Sequence, residues 1–389
     1  MRKLDILTAL LVALVIISPL NIIFQLILGY STLYIVVALV YVSVFIKYLA
    51  YLLRGNIKVD KKKIIFFIWF YCVTLSIMNG IVFNGAENAF LGIVLYLLYP
   101  LLFFFLIAHS ESLALISAEQ SAWLIKSNFY AFLIVGGLAI YQYFIDPTLL
   151  GLYKSSYFSD FYSYSVQRAS SILGSIQVFS SYCAFTLLSL YIFKPFSDRF
   201  NNFAILFVVG VGGLSGSQLF FALSVLVIFI QFFKVKIGPK LVMLAIIILC
   251  FPLISNLSAF DRVFSLLSSD TSYLLARNEG RFDIWFDKLA QLNLFTGNGI
   301  GSASILVDGS ERVNTESYII NMMFEGGVIL TFPFIVLLSY CIFKSPRNDR
   351  IVVLIFYIST VLFVHTLFSI FLVFPWLLLY LIYSKPNTV

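Results

Sequence analysis

Charge is what this sequence lacks most. Asp, Glu, Lys and Arg make up 11% of its 389 residues, against about a quarter in soluble domains. With 61% hydrophobic residues, a soluble fold would leave much apolar surface in water, so an ordinary soluble domain is excluded. Histidine is nearly missing, at two residues, and cysteine is scarce, at four. Cys72, Cys183, Cys250 and Cys341 all lie inside apolar runs, without metal or redox spacing, and read as core packing. His109 falls in a turn and His365 in an apolar stretch, and both read as turn or packing residues. No internal repeat is present. The net charge of +7 sits largely in short turns between apolar segments, so it is no nucleic-acid-binding patch.

What is there in abundance is long apolar sequence. A bilayer-spanning backbone must satisfy its own hydrogen bonds, so only helices or a closed barrel can cross. Barrel strands alternate polar and apolar residues. Here the runs are continuous, as in 64–83 and 241–254, and they predict helices. The fold class is therefore all-α, a polytopic integral membrane protein with about 12 transmembrane helices (11–12). About 20 residues are needed per crossing. The expected spans are 6–28, with Pro19 as a kink, then 33–53, 64–83, 89–108, 122–145 and 172–193. A short pair follows, 203–214 and 218–233, hinged at Ser215-Gly216-Ser217. The remaining spans are 241–255, 318–343, and 351–383 as one long helix or two short ones breaking near His365. Met1-Arg2-Lys3 resembles a signal-peptide n-region, but the long stretch after it reads as an uncleaved first span.

Basic residues set the orientation. Lys and Arg cluster at 54–63, 194–199, 234–240 and 344–350, all assigned to the cytoplasm. The 109–121 turn falls on the same side yet has no Lys or Arg. One transmembrane domain, 1–389, then carries two large loops on the opposite face, 146–171 and 256–317. Long loops without helices are uncommon and usually functional.

The late loop holds Arg262, Arg277, Arg281, Lys288 and Arg312 among eight carboxylates, including Asp283, Asp287 and Glu316. An arginine fork matches phosphate oxygens in pairs, so these cations suit a lipid-linked phosphate or pyrophosphate; pairing with the neighbouring carboxylates is the plainer reading. Residues 279–292 predict an amphipathic helix, with Phe282, Trp285, Phe286 and Leu289 as its apolar stripe. Arg281 and Lys288 lie about 20° apart on one flank, joined by Arg277 if the helix starts early. Asp283 and Asp287 lie on the other flank. Such a helix suits the membrane interface, or caps the bundle. Thr296 to Ser302 carries three alternate glycines, either a simple turn or a phosphate-binding nest of N–H groups. Glu316 stands just before the span at 318, where it can cap the helix or act as a general base. Glu325 lies within that span, where a carboxylate is costly and marks a functional site, or pairs with an arginine near a bend. Arg168, with Gly174, closes the earlier loop.

These residues resemble the bacterial O-antigen polymerase (Wzy-like) family, within the O-antigen polymerase and ligase superfamily. The resemblance rests on span count, on two outer loops, and on motif order. The motifs are Arg168 with Gly174, Ser215-Gly216-Ser217, Gly280 to Trp285, Gly297 to Gly301, Glu316-Ser317-Tyr318 and Gly326-Gly327. It implies a metal-independent, cofactor-free glycosyltransferase of GT-C-like architecture in the bacterial inner membrane. The implied substrate is an undecaprenyl-pyrophosphate-linked oligosaccharide, joined to others at the periplasmic face, with a chain-length co-polymerase as an implied partner and no nucleic acid. In this chemistry Arg281 and Arg168 hold pyrophosphate, assisted by Arg277, Lys288 or Arg312. Glu316 is the base, with Asp283 or Asp287 as substitutes. The nearest alternative is an O-antigen ligase. Ligases usually carry a histidine late in the second loop, where this chain has Asn314-Thr315-Glu316. A flippase or other transporter of lipid-linked sugars would show two similar halves or charges at mid-membrane.

Overall fold

The structure is a computed structural model. It describes residues 5–29, 31–54, 60–110, 116–149, 168–234, 292–302, 317–346, 349–363 and 373–385, with 283, 286, 287, 289 and 290 between. The regular elements among the described residues are all helices, without a strand. In chain order the helices are α1 (Ile6–Leu28), α2 (Thr32–Leu53), α3 (Lys61–Asn84), α4 (Ala86–Gly92), α5 (Leu98–Ala108), α6 (Ala118–Phe144), α7 (Ile176–Phe193), α8 (Asp198–Gly213), α9 (Gln218–Lys234), α10 (Tyr318–Phe343), α11 (Arg350–Phe363) and α12 (Phe374–Ser384). Six of them, α1, α2, α3, α6, α7 and α10, are long and apolar enough to cross a membrane. The chain is a membrane-embedded, all-helical protein.

Helices lie within a few residues of most of the expected spans, six of them long enough to cross. The span expected at 89–108 is composite: α4 runs through a π segment, Ile93–Leu97, into α5. The π segment shifts the hydrogen-bond ladder by one residue, and Tyr41 donates its hydroxyl proton to the Leu98 carbonyl there. α6 begins four residues earlier than expected because Ser117 and Gln120 form a capping box. The Ser117 N–H donates to Gln120 Oε1 at 2.8 Å, and the Gln120 N–H donates back to Ser117 Oγ at 3.2 Å. The span expected from 172 begins only at Ile176, because Ser171–Leu173 form a separate 3₁₀ turn that ends at Gly174 in the left-handed region. The stretch from 351 to 383 contains two helices, α11 and α12. The span at 241–255 and His365 lie outside the described residues.

The helices group into two units, Met1–Leu124 with Arg277–Val389, and Ile125–Ala276. In the first, α10 packs on α3, α11 and α12, α12 on α5, and α1 on α2. Its centre is aromatic. Trp69, Phe104, Tyr318, Phe334 and Trp376 are almost fully buried and meet at centroid distances of 5.2 to 6.4 Å. Such edge-on and tilted pairs add to the burial of large rings.

The basic helix ends of this unit converge. Lys62 donates to Ser110 Oγ at 3.1 Å and stands 6.0 Å over the Tyr383 ring. Lys385 pairs with Asp349 at 3.7 Å. Asp60 caps α3 by accepting from the Lys63 N–H. The corner after α5 has no cation of its own, and Lys62 of α3 supplies one. Lys47, the one charged residue inside α2, pairs with Asp5 at the start of α1.

In the second unit α7 packs on α8 and α9 and is buried along nearly its whole length. Its polar groups are satisfied in place. Asn128 donates to Thr186 Oγ1 at 3.0 Å, and Tyr182 to the Asn128 carbonyl at 3.3 Å. Cys72, Cys183 and Cys341 are buried free thiols.

Candidate functional site

In the first unit the site is built on a broken helix. Gly327, at φ 62° and ψ −165°, interrupts α10. Such a break strands carbonyls before it and N–H groups after it, in a region where water is not at hand to replace them. Residues 294–299 take both sets. Asn298 and Gly299 donate N–H groups to the Phe324 and Glu325 carbonyls, each at 2.8 Å. In return Val328 and Ile329 donate to the Leu294 and Phe295 carbonyls, at 2.9 and 3.2 Å. The turn extends to α3, where Ile300 donates to the Ser76 carbonyl at 3.2 Å. The Asn84 side-chain amide faces the carbonyls of Asn298, Gly299 and Ile300 at 3.1 to 3.4 Å.

Glycine makes this closeness feasible. Gly299 has φ +88°, and a Cβ there would stand 2.7 Å from the Gly80 Cα. Gly301 has φ +95°, and its Cβ would meet the Asn88 carbonyl at 2.3 Å. The turn is thus main-chain packing. Because the N–H groups of Gly297, Asn298, Gly299, Ile300 and Ser302 all donate to carbonyls, the segment is a structural turn and not a phosphate nest. Glu325 sits at the break, 1% exposed, so the bend expected near it is real and is made by Gly327.

Beside the turn lies a cavity of about 450 Å³, lined by Phe83, Asn84, Asn88, Asn298, Gly301, Ser302 and Phe324. That volume is within the range of small-molecule sites.

In the second unit an irregular segment, 168–175, lies among helices and is held by side chains. Gln142 of α6 accepts at one oxygen from the Ser170 and Ser171 N–H groups, at 3.0 and 2.7 Å. Its amide donates to Ser170 Oγ at 3.3 Å and to the Pro147 carbonyl at 3.4 Å. Ser171 is fully buried with φ +52°, an uncommon conformation away from glycine. Its hydroxyl donates to the Val135 carbonyl at 2.6 Å. Arg168 donates from Nε to the Ser215 carbonyl at 2.7 Å and from Nη2 to the Gly216 carbonyl at 3.4 Å. The arginine and the Ser/Gly hinge are therefore in contact.

The other nominated residues divide simply. Arg277, Arg281, Lys288, Arg312 and Glu316 lie outside the described residues. Asp283 and Asp287, one helical turn apart, are exposed and helical, and Phe286 beside them is 67% exposed. Sequence reading missed Gln142, Asn84 and Asn88. The signal was available, since a carboxamide inside or at the end of an apolar run needs a partner, but its partner could not be read.

His109, at the end of α5 and outside the spans, is 2% exposed among Tyr48, Phe66, Phe67 and Phe105. Neither ring nitrogen has a hydrogen-bond partner. Burial, then the Lys63 ammonium, hold its pKa down to about 4; Asp60 opposes them and Lys62 assists. It is a neutral packing residue, as its sequence context implied. Among the described residues no group of three or more His, Cys, Asp or Glu gathers as a metal site. Comparison of the chain with protein-family models, characterised proteins and solved structures returns no match.

Proposed function

We propose that this chain is a surface-polysaccharide polymerase of the O-antigen type. It joins undecaprenyl-pyrophosphate-linked oligosaccharide units at the periplasmic face of a bacterial inner membrane, with about 12 spans and the 256–317 segment on that face. One observation carries the reading: segments that bear the family resemblance, far apart in sequence, meet in pairs. Arg168 grips Ser215 and Gly216, and the 297–301 turn exchanges backbone hydrogen bonds with the α10 break at Gly326-Gly327. Polarity within the first unit agrees. Lys61 to Lys63, Lys344 and Lys385 lie at the helix ends remote from the glycine turn, since α3 runs about 36 Å from the lysines to Asn84. The positive-inside preference then assigns the glycine turn to the outer face.

In the reaction, a hydroxyl of one unit attacks the anomeric carbon of the growing chain. The bond from that carbon to pyrophosphate oxygen breaks, and undecaprenyl pyrophosphate leaves with the electron pair. Fixed guanidinium groups stabilise that charge in a site poor in water; Arg281 and Arg168 are assigned this role, aided by Arg277, Lys288 or Arg312. Glu316 takes the hydroxyl proton, with Asp283 or Asp287 as substitutes.

Deleting the gene in its host tests the reading, with surface polysaccharide resolved on a gel. Collapse of the ladder to a core bearing one repeat unit is expected. Lipid-linked polymer with a bare core would instead make the chain a ligase, and units trapped inside would make it a flippase. An unchanged ladder would overturn all three. Arg281→Ala should abolish chain extension at normal membrane level.

A further inference from the structure

The cavity beside the glycine turn has a chemical character of its own. None of its lining side chains carries a charge: they are two phenylalanines, three asparagines, a serine and a glycine. Most of its donors are already committed. The Asn84 amide is spent on the carbonyls of 298, 299 and 300, and the Asn88 amide donates to the Asn84 carbonyl at 2.9 Å. Each of these side chains keeps a carbonyl oxygen that only accepts. Ser302 Oγ is buried without a hydrogen-bond partner. A third wall is Phe83, 72% exposed at the end of α3, an apolar ring face with no role in the core.

We infer that this cavity is a saccharide-binding subsite, taking a neutral, hydroxyl-rich ring that donates to Asn84 Oδ1, Asn88 Oδ1 and Ser302 Oγ and lies against Phe83. An anion would meet mainly acceptors there, with no cation and only the Ser302 hydroxyl and the Asn298 amide able to donate. A purely apolar ligand would leave those acceptors desolvated and unpaired. A volume of about 450 Å³ accommodates one or two sugar rings. The hydroxyl-donor character follows from these residues alone; naming it the acceptor-sugar subsite rests on the polymerase reading. Sugar hydroxyls and lipid-headgroup hydroxyls share this chemistry, so the test separates them.

The full chain is placed in phosphatidylcholine nanodiscs, and saturation-transfer NMR is recorded with glucose, galactose and N-acetylglucosamine. Transfer to at least one sugar is expected. Binding should weaken by between about threefold and tenfold in Phe83→Ala and in Asn88→Leu. Phe90→Ala, another exposed ring of this region outside the cavity, should leave it unchanged. Phe83→Trp should retain binding, which keeps the test decisive if Asn88→Leu does not fold. Absence of transfer to every sugar, equal transfer in wild type and Phe83→Ala, or displacement by inorganic phosphate would each overturn the inference. Displacement by added phosphatidylglycerol would also overturn it, by assigning the hydroxyls to lipid. Sugar binding with an unchanged polysaccharide ladder after deletion would leave the subsite standing while removing the polymerase reading.

Discussion

Residues 294–302 in the first unit and 168–175 in the second are both irregular backbone lodged among apolar helices, and their polar groups are satisfied in different ways. The first exchanges main chain for main chain with a broken helix. A Cβ would not fit at the closest approaches, which fall at Gly297, Gly299, Gly301 and Gly327. The second is held by the Gln142 carboxamide reaching in from α6 and by its own Arg168 guanidinium reaching out to the Ser215 and Gly216 carbonyls. It tolerates side chains of its own, even a buried serine at positive φ. Irregular backbone at membrane depth survives only where protein takes the place of water. These two segments show that either backbone or side chain can do so, with different sensitivities to mutation.

That contrast can be broken first at the glycines. Gly299→Ala and Gly301→Ala each force a Cβ into backbone at 2.7 and 2.3 Å, at a φ that alanine resists. Each should cost more than about 4 kcal/mol, and little folded protein should survive size-exclusion chromatography in detergent. Wild-type elution and melting would show that the backbone exchange is dispensable.

Gln142→Leu tests the other segment. It leaves two buried N–H groups without an acceptor, at about 2–4 kcal/mol in total, read as a lower melting temperature. Gln142→Glu keeps the accepting oxygens and should recover much of the loss. Equal losses in both variants would mean that this oxygen is not the clamp.

His109 sharpens the comparison as a buried polar group with no hydrogen bond at all. Its folded pKa, about 4, lies below the unfolded value of about 6.5. Above pH 6.5 both states are neutral and the residue contributes no pH dependence. Between about 6.5 and 4 the unfolded state binds the extra proton, so stability falls as pH falls, by at most roughly 3 kcal/mol once solvent screening of the site is allowed for. His109→Phe should match wild type at pH 7.5 and lose less melting temperature by pH 4.5. Parallel curves would count against a neutral His109.

Arg168→Lys removes the fork that spans the Ser215 and Gly216 carbonyls and should cost about 1–2 kcal/mol. If Arg168 also holds pyrophosphate, polymer length should fall further than the folded fraction does. A fall in strict proportion would make it a positioning residue for the hinge alone. The smallest effect is expected from Gly137→Ala in α6, which meets nothing within 4 Å and should change stability by less than about 1 kcal/mol.

The glycine run, Gln142 and Arg168 show how far the sequence could be read. Spans were legible because a bilayer demands length and continuous apolarity, which are local properties: the expected 6–28 and 318–343 match α1 and α10 end for end. The capping box at Ser117 and Gln120 was equally local and went unread. The alternate glycines signalled a special backbone, but a nest and a packed turn share that signal. The choice depends on whether N–H groups find carbonyls 26 residues away in α10 and over 200 away in α3.

The sequence by itself determined an all-helical membrane protein, the approximate ends of many of its helices, and the burial of Cys72, Cys183 and Cys341, since hydropathy and composition act over short stretches. Tertiary structure alone decided that α10 breaks at Gly327, that the glycine turn repairs the break, that Arg168 meets the Ser215–Gly216 hinge, and that Asn84 and Asn88 line a cavity with acceptors. Each of these depends on which distant backbone group replaces water for a stranded partner, and no local pattern encodes that pairing.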